Sequence, residues 1–344
     1  MKDTLVILNL KFDTSILYVE NIRDLIVAGS THIELDFTSM TTIEPFGIVY
    51  FSNFIKSISR IRGLEISCVY IDKDVSYAKH MGFFKNCGFD IGAEPRDSFP
   101  TKATSYVPIT ILDVGSLRQE AIDSYKEVGD IIENYSINLA KLLTSQKDDT
   151  PLVDTLTYCF REIIRNVVEH SGSKKITFCA QYWPYLGKAE IVVLDRGKGI
   201  LNSLNENTTL PKINDDKEAL NFALLPSISS KVPYAKKRKS RNESFWKNSG
   251  FGLYMTHRIA GLGGDFFVAS GKHGLRWVRD QKTDHHVRLK GTILRLLIET
   301  NNITELQDTL RVFREDGFAL ARQLTEMEIE PSSASLMLTK HRTK

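Results

Sequence analysis

The chain opens with apolar runs that switch repeatedly between two periods. Leu5 to Leu10 reads as a strand and Ser15 to Val27 as a helix, while Ile33-Glu-Leu35-Asp-Phe37 alternates as a half-buried strand does. Pro45 to Ile58 predicts a helix with proline in its first turn, where the missing N–H breaks no bond. A β-rich run from Leu64 to Ile71 and a short helix from Val75 to Phe84 follow. Such alternation predicts a small α/β domain over residues 1–95.

Residues 93–112 carry Pro95, Pro100 and Pro108 among polar side chains and read as a linker. From Ser116 to Ser145 a stripe of Leu117, Ala121, Tyr125, Val128, Ile131 or Ile132, Tyr135, Leu139 and Leu142 predicts one long helix, so 96–150 is expected to be linker and helix. Pro151 opens another helix at the start of the unit 151–300. Ile303, Leu306, Leu310, Phe313, Phe318, Leu320 and Leu324 predict an amphipathic helix over 301–330, behind an Asn302 cap. The tail 331–344 is rich in Ser and Lys and is expected to be disordered.

With 42% apolar and 25% charged residues the composition is that of a globular protein with real cores. The formal net charge of +3 is small for 344 residues, so any basic effect must be local. No apolar run approaches the ~20 residues that cross a bilayer. The N-terminal MKDTLVILNL reads as a strand rather than a signal peptide. Cys68, Cys87, Cys159 and Cys179 show no metal-binding spacing. A cytoplasmic protein with free thiols is the expectation, without a membrane partner.

Four segments carry chemistry. In Arg161-Glu162-Ile-Ile-Arg165-Asn166-Val-Val-Glu169-His170, residues Glu162, Asn166 and His170 are four apart and stack on one helix face. A carboxylate can activate an attacking oxygen, an amide oxygen can ligate Mg²⁺, and an imidazole can touch phosphate. The same stripe also suits a merely solvated face. Ile191-Val-Val-Leu194-Asp195-Arg-Gly197-Lys-Gly199-Ile200 reads as a buried strand ending in an acid and two glycines. There Asp195 could accept from an adenine amino group, or simply end a strand at a turn. Asn248-Ser249-Gly250-Phe251-Gly252-Leu253 runs into a helix whose first N–H groups suit phosphate. Lys290-Gly291-Thr292 is expected to open a further strand.

In this order the four segments resemble the N box, G1 box, G2 box and Gly-Thr element of the GHKL superfamily, which includes DNA gyrase, the ninety-kilodalton heat-shock chaperone, histidine kinases and MutL. The resemblance implies an α/β sandwich that binds ATP and Mg²⁺. It makes Glu162 the general base and Asn166 the Mg²⁺ ligand, with His170 toward phosphate. Asp195 becomes the adenine reader, with Gly197, Gly199 and Ile200 on the ribose side. Gly250, Gly252 and Leu253 become the phosphate loop, and Thr292 supports the adenine pocket. The stretch between Ile200 and Ser249 takes the place of the family's lid. Its basic run Lys236-Lys-Arg-Lys239-Ser-Arg241 reads equally as a lid clamp or a solvated charge run.

No histidine lies on the helix ahead of the N box, which disfavours an autophosphorylating histidine kinase. Asn166-Val-Val-Glu-His170 looks more like the bacterial anti-sigma serine kinases. Ile33-Glu-Leu-Asp36-Phe-Thr-Ser-Met-Thr-Thr-Ile43-Glu44-Pro45-Phe46-Gly47 resembles the central segment of STAS domains, the usual substrates of those kinases. Pro45 and Phe46 stand where the phosphoacceptor serine would be, so 1–95 is expected to dock a protein partner or the chain's own ATPase domain around Phe46. Nucleic acid is not expected, because aromatic interleaving is thin; a homodimer is left open. The resemblance implies an ATP-driven conformational switch with ATPase activity. A Ser/Thr protein kinase and a non-catalytic ATP-gated interaction module are the alternatives.

Overall fold

In a computed structural model of the chain, the described residues are 2–98, 104–146, 148, 150–230, 250–279, 281–303 and 306–325. The N-terminal runs form β1 (Lys2–Val6), β2 (Asn9–Leu10), α1 (Phe12–Val27), β3 (His32–Asp36), β4 (Thr42–Ile43), α2 (Pro45–Ile58), β5 (Glu65–Val69), α3 (Ser76–His80) and α4 (Phe83–Cys87). Strands β1, β3 and β5 pair in parallel in that order, and β2 pairs separately with β4. Leu5 to Leu10 is therefore not one strand. The Ile7 N–H still donates to the Asp36 carbonyl (2.8 Å), after which the chain steps across to β4. The helix expected over Val75 to Phe84 is split into α3 and α4 by Gly82 at φ +77°.

The stretch expected to be a linker contains β6 (Tyr106–Asp113), the edge strand of a second sheet. Pro108 sits where the register against the neighbouring strand shifts, one of the few places a strand tolerates proline. The single long helix is also corrected to two, α5 (Val114–Asp123) and α6 (Val128–Thr144). Tyr125, expected on the apolar stripe, turns the chain between them at φ +54° and is 98% exposed. Then follow α7 (Pro151–Asn166), β7 (Lys175–Trp183), β8 (Lys188–Asp195), α8 (Gly199–Asn205), α9 (Asp216–Ala223), α10 (Gly252–Ala260), β9 (Asp265–Val278), β10 (Gln281–Glu299) and α11 (Leu306–Thr325). The sheet order is β6-β7-β8-β10-β9, with every neighbour antiparallel. Lys290-Gly291-Thr292 lies inside β10, at a register shift, and does not open a strand. Asn302 does not cap α11 but closes a 3₁₀ turn, its amide donating to the Leu262 carbonyl (2.8 Å). The tail 331–344 lies outside the described residues.

Among the described residues the chain is thus mixed α/β, with a three-stranded parallel sheet, a two-stranded parallel pair and a five-stranded antiparallel sheet. Both faces of the five-stranded sheet are covered. Ile191 and Val193 of β8 join a core with α6, α7 and α10, while Val192 and Leu194 join the core of the N-terminal module. Burial on both sides explains why Ile191 to Leu194 is apolar at every position rather than at alternate ones. Helix α2 lies in this seam and is buried nearly all round, with Phe46, Ile48, Val49, Phe51 and Ile55 inaccessible.

Phe46 is consequently no free docking surface. Its ring packs on Phe12 (4.7 Å), Tyr50 (5.0 Å) and Phe267 (5.5 Å), the last from β9. Its burial contributes about 1.5–3 kcal/mol. Its N–H donates to Oε1 of Glu190 on β8 (3.0 Å), so a carboxylate sits at the N-terminus of α2, the favourable end for an anion. Arg295 completes the arrangement, with Nε to Glu190 (3.0 Å) and Nη1 to Asp265 (2.6 Å). Among the described residues no helix is long and apolar enough to cross a membrane.

Candidate functional site

One cleft lies on the face of the five-stranded sheet turned away from the N-terminal module. It encloses about 860 Å³ of space between atoms, open solvent at its mouth included. Val193, Val268 and Leu294 make an apolar floor, and Ile163 and Val167 of α7 make one wall. Nine residues singled out in the sequence line it: Asn166, His170, Asp195, Gly199, Ile200, Gly250, Gly252, Leu253 and Thr292. The fold brings them together from β8, β10, α7, α8 and the start of α10, although they are scattered over more than a third of the chain.

Asp195 ends β8 and is 3% exposed, and burial pushes its pKa up to about 6. The Gly197 N–H donates to its Oδ1 (2.7 Å) and opposes that rise. Among the described residues this is the only hydrogen bond the carboxylate receives. Thr292 stands directly across the ladder from Asp195. Gly291 permits this pairing: it has φ +91°, and a Cβ there would collide with the Asp195 carbonyl. Gly197 does not line the cleft; it passes so close to the Ser171 carbonyl that no side chain fits.

The expected stripe of Glu162, Asn166 and His170 is broken in two ways. After Asn166 the helix widens into a π turn, Val167–Ser171, so His170 is not one regular turn beyond Asn166. The turn nevertheless brings both into the cleft. His170 Nδ1 pairs with Ser230 Oγ (2.8 Å) and its carbonyl accepts from Ser203 Oγ (3.2 Å). Asn166 is half-buried, and among the described residues no hydrogen bond engages its amide. That leaves an oxygen for a cation. Mg²⁺ keeps several of its waters and takes few protein ligands, so this amide oxygen could supply one of them. Among the described residues no cluster of three or more His, Cys, Asp or Glu side chains could hold a metal alone.

Glu162 is 3% exposed and does not line the cleft. Arg161 grips its Oε1 through Nε (3.0 Å) and Nη2 (2.8 Å), and also reaches Glu133 (3.2 Å). These carboxylates push the Arg161 pKa up against the effect of burial. The other oxygen, Oε2, abuts Gly252 at the first turn of α10, where a side chain would collide with it. The carboxylate therefore stands directly behind the phosphate-loop candidate.

Ser270 escaped the sequence reading. It is buried, accepts from the Ile200 N–H (2.9 Å) and donates to the Gly291 carbonyl (3.0 Å), stitching the glycine loop to β10. A single serine within a strand carries no pattern of its own. Phe251, between the two glycines, is buried and packs on Phe318 of α11 (5.1 Å). The basic run Lys236 to Arg241, with Asn248 and Ser249, lies outside the described residues. Comparison of the chain with protein-family models, with curated proteins and with solved structures gives no match.

Proposed function

We propose that the chain binds Mg-ATP in this cleft as a GHKL-type ATPase and works as a nucleotide-driven conformational switch, with a STAS-like module fused to its N-terminus. The observation that carries this reading is convergence: nine residues chosen by motif line one concave, apolar-floored site. In this reading the adenine lies on Val193, Val268 and Leu294, with its amino group on Asp195. The phosphates run toward Gly250, Gly252 and the N-terminus of α10, whose free N–H groups and dipole favour anions. Asn166 holds Mg²⁺, which neutralises phosphate charge when bound, and His170 faces the phosphates. The double cover of the sheet gives the switch its output, because β8 carries cleft residues on one face and module contacts on the other.

A second reading, an ATP-gated module without turnover, is favoured by one feature. Glu162 can act as general base only if Arg161 releases it and its carboxylate turns past Gly252. Protein-kinase activity is the third option, with a hydroxyl of a partner in place of water. Incubation with γ-labelled ATP and Mg²⁺, alone and with candidate partner proteins, separates the three. Free phosphate supports the ATPase, labelled partner supports the kinase, and tight binding with neither supports the gate. Absence of ATP binding refutes all three.

A further inference from the structure

The glycine loop has a second side, and it is basic. Side chains alternate along β8, so Asp195 faces the cleft and Arg196 continues the face turned to the N-terminal module. Arg196 Nη2 donates to the carbonyl of Asn53 on α2 (3.0 Å) and to its Oδ1 (3.3 Å). Asn53 is itself fixed, its amide donating to the Val49 carbonyl (2.8 Å). Lys56 follows Asn53 one turn on in α2, and Arg60 lies just past the end of that helix. Lys175 opens β7 one step beyond the Ile176–Asp195 pair, which sets it beside Arg196.

Four cations from both modules thus meet at one seam, and among the described residues none of them forms a salt bridge. Other cations in the fold do: Lys85 with Asp90 and Glu94, Lys198 with Glu206, Arg165 with Glu169. Asp113 lies across from Lys175 in the β6–β7 ladder, but its carboxylate caps α5 through the Ser116 N–H (2.9 Å). Burial depresses the pKa of Lys56 and of Arg196, and their basic neighbours add to both shifts. Such a cluster presents a positive potential that is complementary to an acidic surface.

We propose that this seam docks an acidic segment of a partner protein, whose carboxylates pair with Lys56, Arg60, Lys175 and Arg196. Because Arg196 directly follows Asp195, docking there also alters the nucleotide site; that second half alone rests on the ATP reading. A protein segment fits better than nucleic acid. Phe54, the aromatic of this part of α2, is covered by Arg23 (5.1 Å) and offers no stacking platform. The exposed apolar neighbour is Ile61, an anchor for a side chain rather than a base.

The test uses the full chain and a fluorescein-labelled oligo-glutamate peptide, read by anisotropy without nucleotide. Binding is expected at low salt, fading as salt rises. K56E/R60E should weaken it at least about tenfold, while the charge-matched control K126E/K212E, at exposed positions away from the seam, should not. Should K56E/R60E lower the unfolding midpoint, R60A/K175E replaces it. Equal binding by wild type and the seam variants, or equal loss in the control, overturns the seam. A labelled single-stranded oligonucleotide that binds more tightly and through the same residues overturns the choice of partner. In a second readout, ATP affinity measured with and without saturating peptide should differ at least about threefold. Unchanged affinity in a chain that binds ATP overturns the coupling, and leaves the anisotropy result standing.

Discussion

Asp195→Asn separates binding from stability in opposite directions. In the folded chain the carboxyl has a pKa of about 6 against an ordinary 3.8, chiefly because it is buried. A raised carboxyl pKa means that the folded state binds the proton more tightly than the unfolded one. The ionised form therefore costs nothing below the ordinary value, the cost grows as pH rises from about 4 to 6, and it is complete above. At about 1.4 kcal/mol per pH unit, the ceiling is ~3 kcal/mol. Asparagine is neutral throughout and its Oδ1 can still accept from the Gly197 N–H. The variant should therefore be more stable than wild type by about 1–3 kcal/mol at neutral pH, with the gain shrinking as pH falls toward 5. With Oδ1 so held, its NH₂ would face the adenine amino group, donor against donor. ATP affinity should fall roughly tenfold to a hundredfold. Urea unfolding across this pH range, paired with ATP titration, reads both. A variant that is less stable at every pH would refute the burial argument, and unchanged ATP affinity would remove Asp195 from the site.

Glu162→Ala should keep nucleotide affinity while any turnover drops by roughly 10²–10⁴; unchanged turnover in a phosphate-release assay would rule it out as the base. Asn166→Ala should weaken ATP binding in Mg²⁺ but not in EDTA, as calorimetry can show. Glu190→Ala strips Arg295 of one partner and the α2 N-terminus of its acceptor, so urea unfolding should show a loss of about 3–5 kcal/mol; a loss under about 1 kcal/mol would contradict the interface described. Mass spectrometry after ATP turnover should find Ser39, Thr41 and Thr42 unmodified. Stoichiometric phosphate there would revive the fused kinase–substrate reading.

What was legible in the sequence was local. Helix α2 begins at Pro45 and ends at Ile58 as its pattern predicts, because proline position and periodicity are both short-range signals. The cleft residues were legible because a strand-end acid, glycine turns and a helix start each leave a mark in the chain. What was not legible depended on distant partners. Pro108 argued against a strand, and only its place at a register shift on the sheet's edge reconciles it with β6. Tyr125 fitted a helical stripe that the chain abandons at that residue. Glu162 was expected in the site as a general base, yet it is buried against Arg161, which also reaches Glu133, and does not line the cleft. Pro45 marked the start of α2 in the sequence, but that Glu190 takes up its N-terminus needed the tertiary fold.

The claim that the cleft is a Mg-ATP site is tested most directly by hydrogen exchange with and without Mg-ATP. Backbone amides at Asp195 to Leu204 and at Gly250 to Ala260 should gain protection on binding, since these segments carry the glycine loop with α8 and the proposed phosphate loop with α10, and both line the cleft. Weaker protection should appear on α2 around Asn53, reached through Arg196. Protection confined to other segments, or no change at saturating nucleotide, would contradict the account.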